Sequence, residues 1–107
     1  MLNLPKWNIE AVTGYVPKTT FWEDFSIADV YGAKAIQDTY NRAFSEWKSD
    51  VVYLTELTLV LNHKCWQHYQ KNDELSRLYS NLYYQAREYA VDNLDGEDFE
   101  YFYRITD

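Results

Sequence analysis

VVYLTELTLVLNHKCWQHYQ, residues 51–70, decides how the rest of this chain is read. On a wheel of 100° per residue, Leu54, Leu57, Leu61, Cys65 and His68 share one stripe, while Val52, Leu59 and Trp66 form a second on nearly the opposite side. A helix that is apolar on two sides is sandwiched between neighbours, so this segment is expected to be the central element of an all-α fold. Ser49 and Asp50 restart the chain immediately before it.

Outward from this segment, Asn72 and Asp73 are suited to cap a further helix. Leu75, Leu78, Tyr79, Leu82, Ala86, Tyr89 and Ala90 then keep a nearly unbroken i, i+3, i+4, i+7 pattern. That helix is expected to end at NLDG, residues 93–96, where Asn93 or Gly96 can take the left-handed conformation of a helix end. On the other side, Ser26, with Asp29 three residues on, reads as a cap. Ile36, Tyr40, Ala43, Phe44 and Trp47 recur at helical spacing after it. Gly32 falls inside this stretch and marks either a break between two helices or a close approach.

The ends are less regular. Residues 1–25 contain both prolines and no clear apolar period, which predicts an extended, irregular arm that wraps the body or awaits a partner. Its aromatics, Trp7, Tyr15, Phe21, Trp22 and Phe25, argue against a solvated tail. At the other end, Phe99, Phe102 and Tyr103 suit a short helix, whereas Phe99, Tyr101, Tyr103 and Ile105 alternate as a strand would. A lone strand has no evident partner, so a helix is expected. The expectation is thus one domain over residues 1–107: a compact bundle of three main helices (body 26–107), an irregular aromatic N-terminal arm (1–25) and a short C-terminal helix.

Composition narrows the function classes. The 107 residues carry a net charge of −7 and are 19% aromatic. The negative field disfavours direct binding to nucleic acid and to anionic membranes. There is one cysteine, no apolar run long enough to span a bilayer and no basic-then-apolar leader, which together point to a cytoplasmic protein.

LNHKCWQHY, residues 61–69, gathers both histidines and the cysteine. His63 and His68, five apart, are turned about 140° from one another on a helix and do not chelate together. Cys65 and His68 are three apart, but no further Cys or His completes a soft metal site, so neither a metal nor another cofactor is expected. As nucleophile and base the same pair would make a small Cys/His enzyme; Cys65 lies late in its helix among leucines, away from the helix N-terminus where thiolates are stabilised. Phosphate loops and hydrolase elbows are missing too, and no enzyme is expected.

Two surfaces remain. From Glu88 to Glu100 there are six carboxylates, Glu88, Asp92, Asp95, Glu97, Asp98 and Glu100, with no Lys or Arg between them. The surplus aromatics, Trp7, Tyr15, Trp22, Tyr84 and Tyr101, are residue types enriched where proteins meet partners. TTFWEDFSIADVYG (19–32), YLTELTLVLNHKCWQHY (53–69) and NLDGEDFEYFY (93–103) resemble a family of small uncharacterised proteins from bacteriophages and integrative or conjugative elements of gut-dwelling Firmicutes. The resemblance implies a mobile-element setting and brings no functional residues with it. The expected role is a non-catalytic accessory protein acting through protein–protein contact, with a homodimer as one version. The alternative is an acidic mimic of nucleic acid that inhibits a host defence or DNA-binding protein.

Overall fold

The computed structural model describes residues 4–107, and the regular structure among them is entirely helical. The elements are α1 (Ile9–Thr13), α2 (Phe21–Tyr31), α3 (Ala33–Trp47), α4 (Val51–His68), α5 (Asp73–Asn93) and α6 (Gly96–Thr106). Six helices therefore stand where three main ones and a short fourth were expected.

α4 is the centre of the fold, packing against α2, α3, α5 and α6. Asp50 starts it, its carboxylate accepting the N–H groups of Val52 and Tyr53. Every residue from Leu54 to Leu61 is buried. Thr55 and Thr58 satisfy their hydroxyls within the helix, by donating to the carbonyls of Val51 and Leu54. The main core joins Leu57, Val60 and Leu61 of α4 to Phe21, Trp22 and Phe25 of α2, Ile36 and Tyr40 of α3, and Leu75, Tyr79 and Leu82 of α5. Leu57 and Leu61 are fully buried, so truncating either to Ala costs about 2–5 kcal/mol. The second expected stripe departs at its far end: Leu59 is buried, but Trp66 is exposed and packs edge-on to Tyr69 at 5.3 Å.

α5 follows its pattern closely, with Leu75, Tyr79, Leu82, Ala86 and Ala90 buried and the Asn72 side chain accepting Leu75 N–H at 3.1 Å. It runs to Asn93, which stays helical, and leaves through extended Leu94. The left-handed residue is Gly96 (φ 54), and it opens α6 rather than closing α5. In α6 the helical period prevails over alternation because Phe102 is the side chain that buries, against Leu54 and Ala90.

The N-terminal expectations need correction. α2 begins at Phe21, not at Ser26, and Ser26 is a buried residue in its interior. The signal lay in Thr20 followed by Glu23 and Asp24, two carboxylates in the first turn where the helix dipole favours them. Thr20 hydrogen-bonds Asp24 there, and Thr19 Oγ1 accepts Phe21 N–H. The region expected to be irregular to residue 25 thus contains α1 and the first five residues of α2; residues 1–3 lie outside the described residues. Gly32, at φ 107 and ψ −169, is the break between α2 and α3.

Candidate functional site

α4 is apolar enough that its two fully charged side chains stand out: Glu56 and Lys64 are both 0% exposed. A charge is kept in a core only when it is paired or fully hydrogen-bonded, and each of these two organises a cluster.

Lys64 faces α2. Its ammonium donates to Ser26 Oγ and to Asp29 Oδ2 (3.0 Å), and lies 4.0 Å from the centre of the Trp22 ring. Asp29 also accepts the Tyr79 hydroxyl from α5. His68 lies parallel to the Tyr79 ring at 5.7 Å, with Nε2 3.1 Å from Asp29 Oδ2 but without hydrogen-bond alignment. Burial pushes the Lys64 ammonium down from its usual range, opposed by Asp29. Burial, then the Asp29 carboxylate, pushes the Tyr79 phenol well up.

Lysine, carboxylate, imidazole and phenol form an acid–base inventory, yet Lys64 is sealed. Four surface clefts among the described residues are lined by other side chains. What the arrangement does is clamp α2, α4 and α5 together. Cys65 and His68 are divided between neighbours: His68 goes to Asp29 and Tyr79, whereas Cys65 Sγ lies 3.6 Å from Ser76 Oγ, whose hydroxyl donates to the Cys65 carbonyl at 3.0 Å. His63 packs edge-on to Trp7 at 6.2 Å, and burial lowers its pKa. Among the described residues, no group of three or more His, Cys, Asp or Glu is placed to hold a metal ion.

Glu56 faces the N-terminal segment. Oε1 accepts the Tyr15 hydroxyl (2.8 Å) and Lys18 N–H (2.7 Å), while Oε2 accepts Thr19 N–H (3.1 Å) and the Thr19 hydroxyl. Neither Glu56 nor Lys64 was singled out from sequence. The signal was available, because they are the only carboxylate and the only ammonium within α4.

The six expected acidic residues are all exposed, along the end of α5 and the start of α6. Glu97, Asp98 and Glu100 share a cleft of about 430 Å³ with Val51, Val52, Tyr101 and Arg104. The expected aromatic surface does not form. Trp22 and Tyr15 are buried, and Trp7 is half-buried, stacked on Trp22 at 5.3 Å. Trp22 Nε1 donates to the Pro5 carbonyl, and the Tyr15 hydroxyl goes to Glu56. Both buried rings satisfy their polar atoms internally, which is why they serve the core rather than a partner. Tyr101 is half-buried, and of the five only Tyr84 is well exposed.

A different apolar surface appears on α2. Ile27, Val30 and Tyr31 are 40%, 59% and 74% exposed, at the i, i+3, i+4 spacing that lines one helix face. Asp24, Ile27, Ala28 and Tyr31 border a cleft of about 310 Å³ against Ala35, Thr39 and Arg42 of α3. Among the described residues, no helix is long and apolar enough to cross a membrane. Comparison with protein-family models, with curated proteins and with solved structures finds no match.

Proposed function

We propose that this chain is a non-catalytic, cytoplasmic accessory protein of a mobile genetic element that acts by binding another protein, with a second copy of itself as one version of the partner. The observation that carries the reading is the exposed face of Ile27, Val30 and Tyr31. Adjacent exposed apolar side chains on a polar surface mark contact sites, and Tyr is enriched in them. The mobile-element setting is supported by the resemblance of residues 19–32, 53–69 and 93–103 described above. The double variant Val30→Asp/Tyr31→Asp tests the reading, since both side chains point to solvent and the fold does not need them. Light scattering and affinity capture from host lysate should show self-association or a captured partner with the wild type and its loss in the variant. Equal behaviour of the two proteins refutes the reading.

Exposure of all six carboxylates favours a second reading, the nucleic-acid mimic that occupies a basic groove. Binding would then weaken with salt and disappear in Asp92→Asn/Asp95→Asn/Glu97→Gln/Asp98→Asn. Undiminished, salt-insensitive binding by that variant removes the mimic.

A further inference from the structure

Residues 4–19 are attached to the helical body in an unusual way. Their own backbone hydrogen bonds stay local, Val12 N–H to Asn8 and Gly14 N–H to Glu10. Among the described residues, no backbone-to-backbone hydrogen bond joins this segment to α2–α6. The attachments include the Trp7–Trp22 stack, the edge-on Trp7–His63 contact, the Pro5 carbonyl under Trp22 Nε1, the packing of Ile9 and Tyr15 on Leu59 beside Ile105, the Phe21 N–H donated to Thr19 Oγ1, and four hydrogen bonds that converge on the Glu56 carboxylate.

The chemistry at Glu56 is uneven. A carboxylate with no exposed surface is met by two hydroxyls and two backbone amides, all neutral. The nearby cation, Lys18, turns away: its ammonium donates to the Val16 carbonyl and lies 4.5 Å from the Tyr15 ring centre. Burying a carboxylate without a cation carries a desolvation penalty that the four bonds offset. Lifting the segment breaks those bonds, but it also returns the carboxylate to water. An apolar attachment has no such compensation, so the detached state here is favoured relative to the unpacking of an apolar contact of the same size.

We propose that residues 4–19 form a detachable strap, latched by the single carboxylate of Glu56, which opens as one unit about Thr20 while α2–α6 stay folded. Opening uncovers Leu59, Ile105 and the Glu56 carboxylate together, an apolar strip with one charge. The proposal is independent of the interaction face on α2, which lies outside the strap.

Native-state hydrogen exchange on the full chain tests it. The amides of Val12, Gly14, Lys18 and Thr19 report on the strap, and those of Leu57, Leu61 and Leu82 on the body. Strap amides are expected to exchange at least about 100-fold faster than body amides, through one common opening with little dependence on low denaturant. In Glu56→Gln the amide NH₂ confronts donors that now lack an acceptor, and strap exchange should rise about 10- to 100-fold with the body unchanged. Tyr15→Phe, which removes one donor, should act in the same direction and more weakly, and it serves if Glu56→Gln does not fold. Strap amides that share the rate and denaturant slope of the body overturn the proposal, as do strap amides that open independently of each other or variants that speed strap and body by one factor.

Discussion

Removing Asp29 should be far more damaging than removing the lysine it holds. In Asp29→Ala the Lys64 ammonium keeps only Ser26 and the Trp22 face, and the Tyr79 hydroxyl falls back on the Phe25 carbonyl at 3.3 Å. Orphaning one partner of a buried ion pair costs about 3–5 kcal/mol. For 107 residues, an unfolding entropy of about 2.1 cal/mol/K per residue turns this into a fall in Tm of about 13–22 °C. Lys64→Met keeps the length of the side chain and removes the charge. Asp29, whose side chain is 13% exposed, keeps some contact with water and still accepts from Tyr79, so the expected cost is smaller than that of stranding the fully buried ammonium. If the penalty in Asp29→Ala is the stranded ammonium, then Asp29→Ala/Lys64→Met melts above Asp29→Ala alone. Thermal melts by circular dichroism and urea titrations of the four proteins measure this. A double variant no more stable than the sum of the two single losses refutes the assignment of Asp29 as the group that keeps Lys64 charged in the core.

Alkali should destabilise the fold. Burial pushes Tyr40 up to about 12, and Tyr15 and Tyr79 are raised by burial reinforced by Glu56 and Asp29. Raised folded pKa values mean that stability is complete below about pH 10 and is lost as pH climbs toward the folded values, by about 1.4 kcal/mol per pH unit for each tyrosine. Lys64, lowered in the fold, has the opposite sign just below about pH 10.4 and offsets part of the onset. Urea titrations between pH 10 and 12 should therefore fall steeply, and less steeply in Tyr79→Phe; a flat profile contradicts the burial of these phenols. Gly32→Ala should cost about 1–3 kcal/mol, because φ 107 with ψ −169 is a region only glycine occupies readily; a neutral substitution in a urea titration would show that the α2–α3 corner relaxes without strain. Cys65, half-buried between α4 and α5 beside Ser76, should react with a soluble disulfide reagent more slowly in the folded protein than in urea, whereas a fast native reaction would mark an activated thiol.

The helices that were legible in the sequence are those with a regular apolar period and a cap, α4 and α5 above all. α5 showed its period over about four turns and its Asn72 cap, and Phe102 fixed the helical reading of α6 once Leu54 and Ala90 were in place around it. The N-terminal region was not legible, because its order comes from side chains distant in sequence. Glu56 organises Tyr15 to Thr19 from 37 to 41 residues away, and no local period carries that information. The expected aromatic surface failed for the same reason: Trp22 looked surplus until Lys64 and Pro5 were seen to flank it. At LNHKCWQHY the eye went to His63, Cys65 and His68, yet the residue that ties helices together is the lysine between the first two.

A helix that is apolar nearly all round gives its neighbours little reason to choose one side, or one height, over another. In α4 that choice is written twice. Glu56 and Lys64 stand eight positions apart, about 12 Å along the axis and about 80° around it, with opposite signs. The negative address accepts only a segment offering hydroxyls and free amides, and the positive one only a segment offering a carboxylate. Sliding α2 by one turn, or exchanging it with the N-terminal segment, leaves both addresses unanswered at once. The pair therefore discriminates among packings that greasy surface alone would leave nearly degenerate, a selection that a leucine at either position would erase even where it raised the melting temperature.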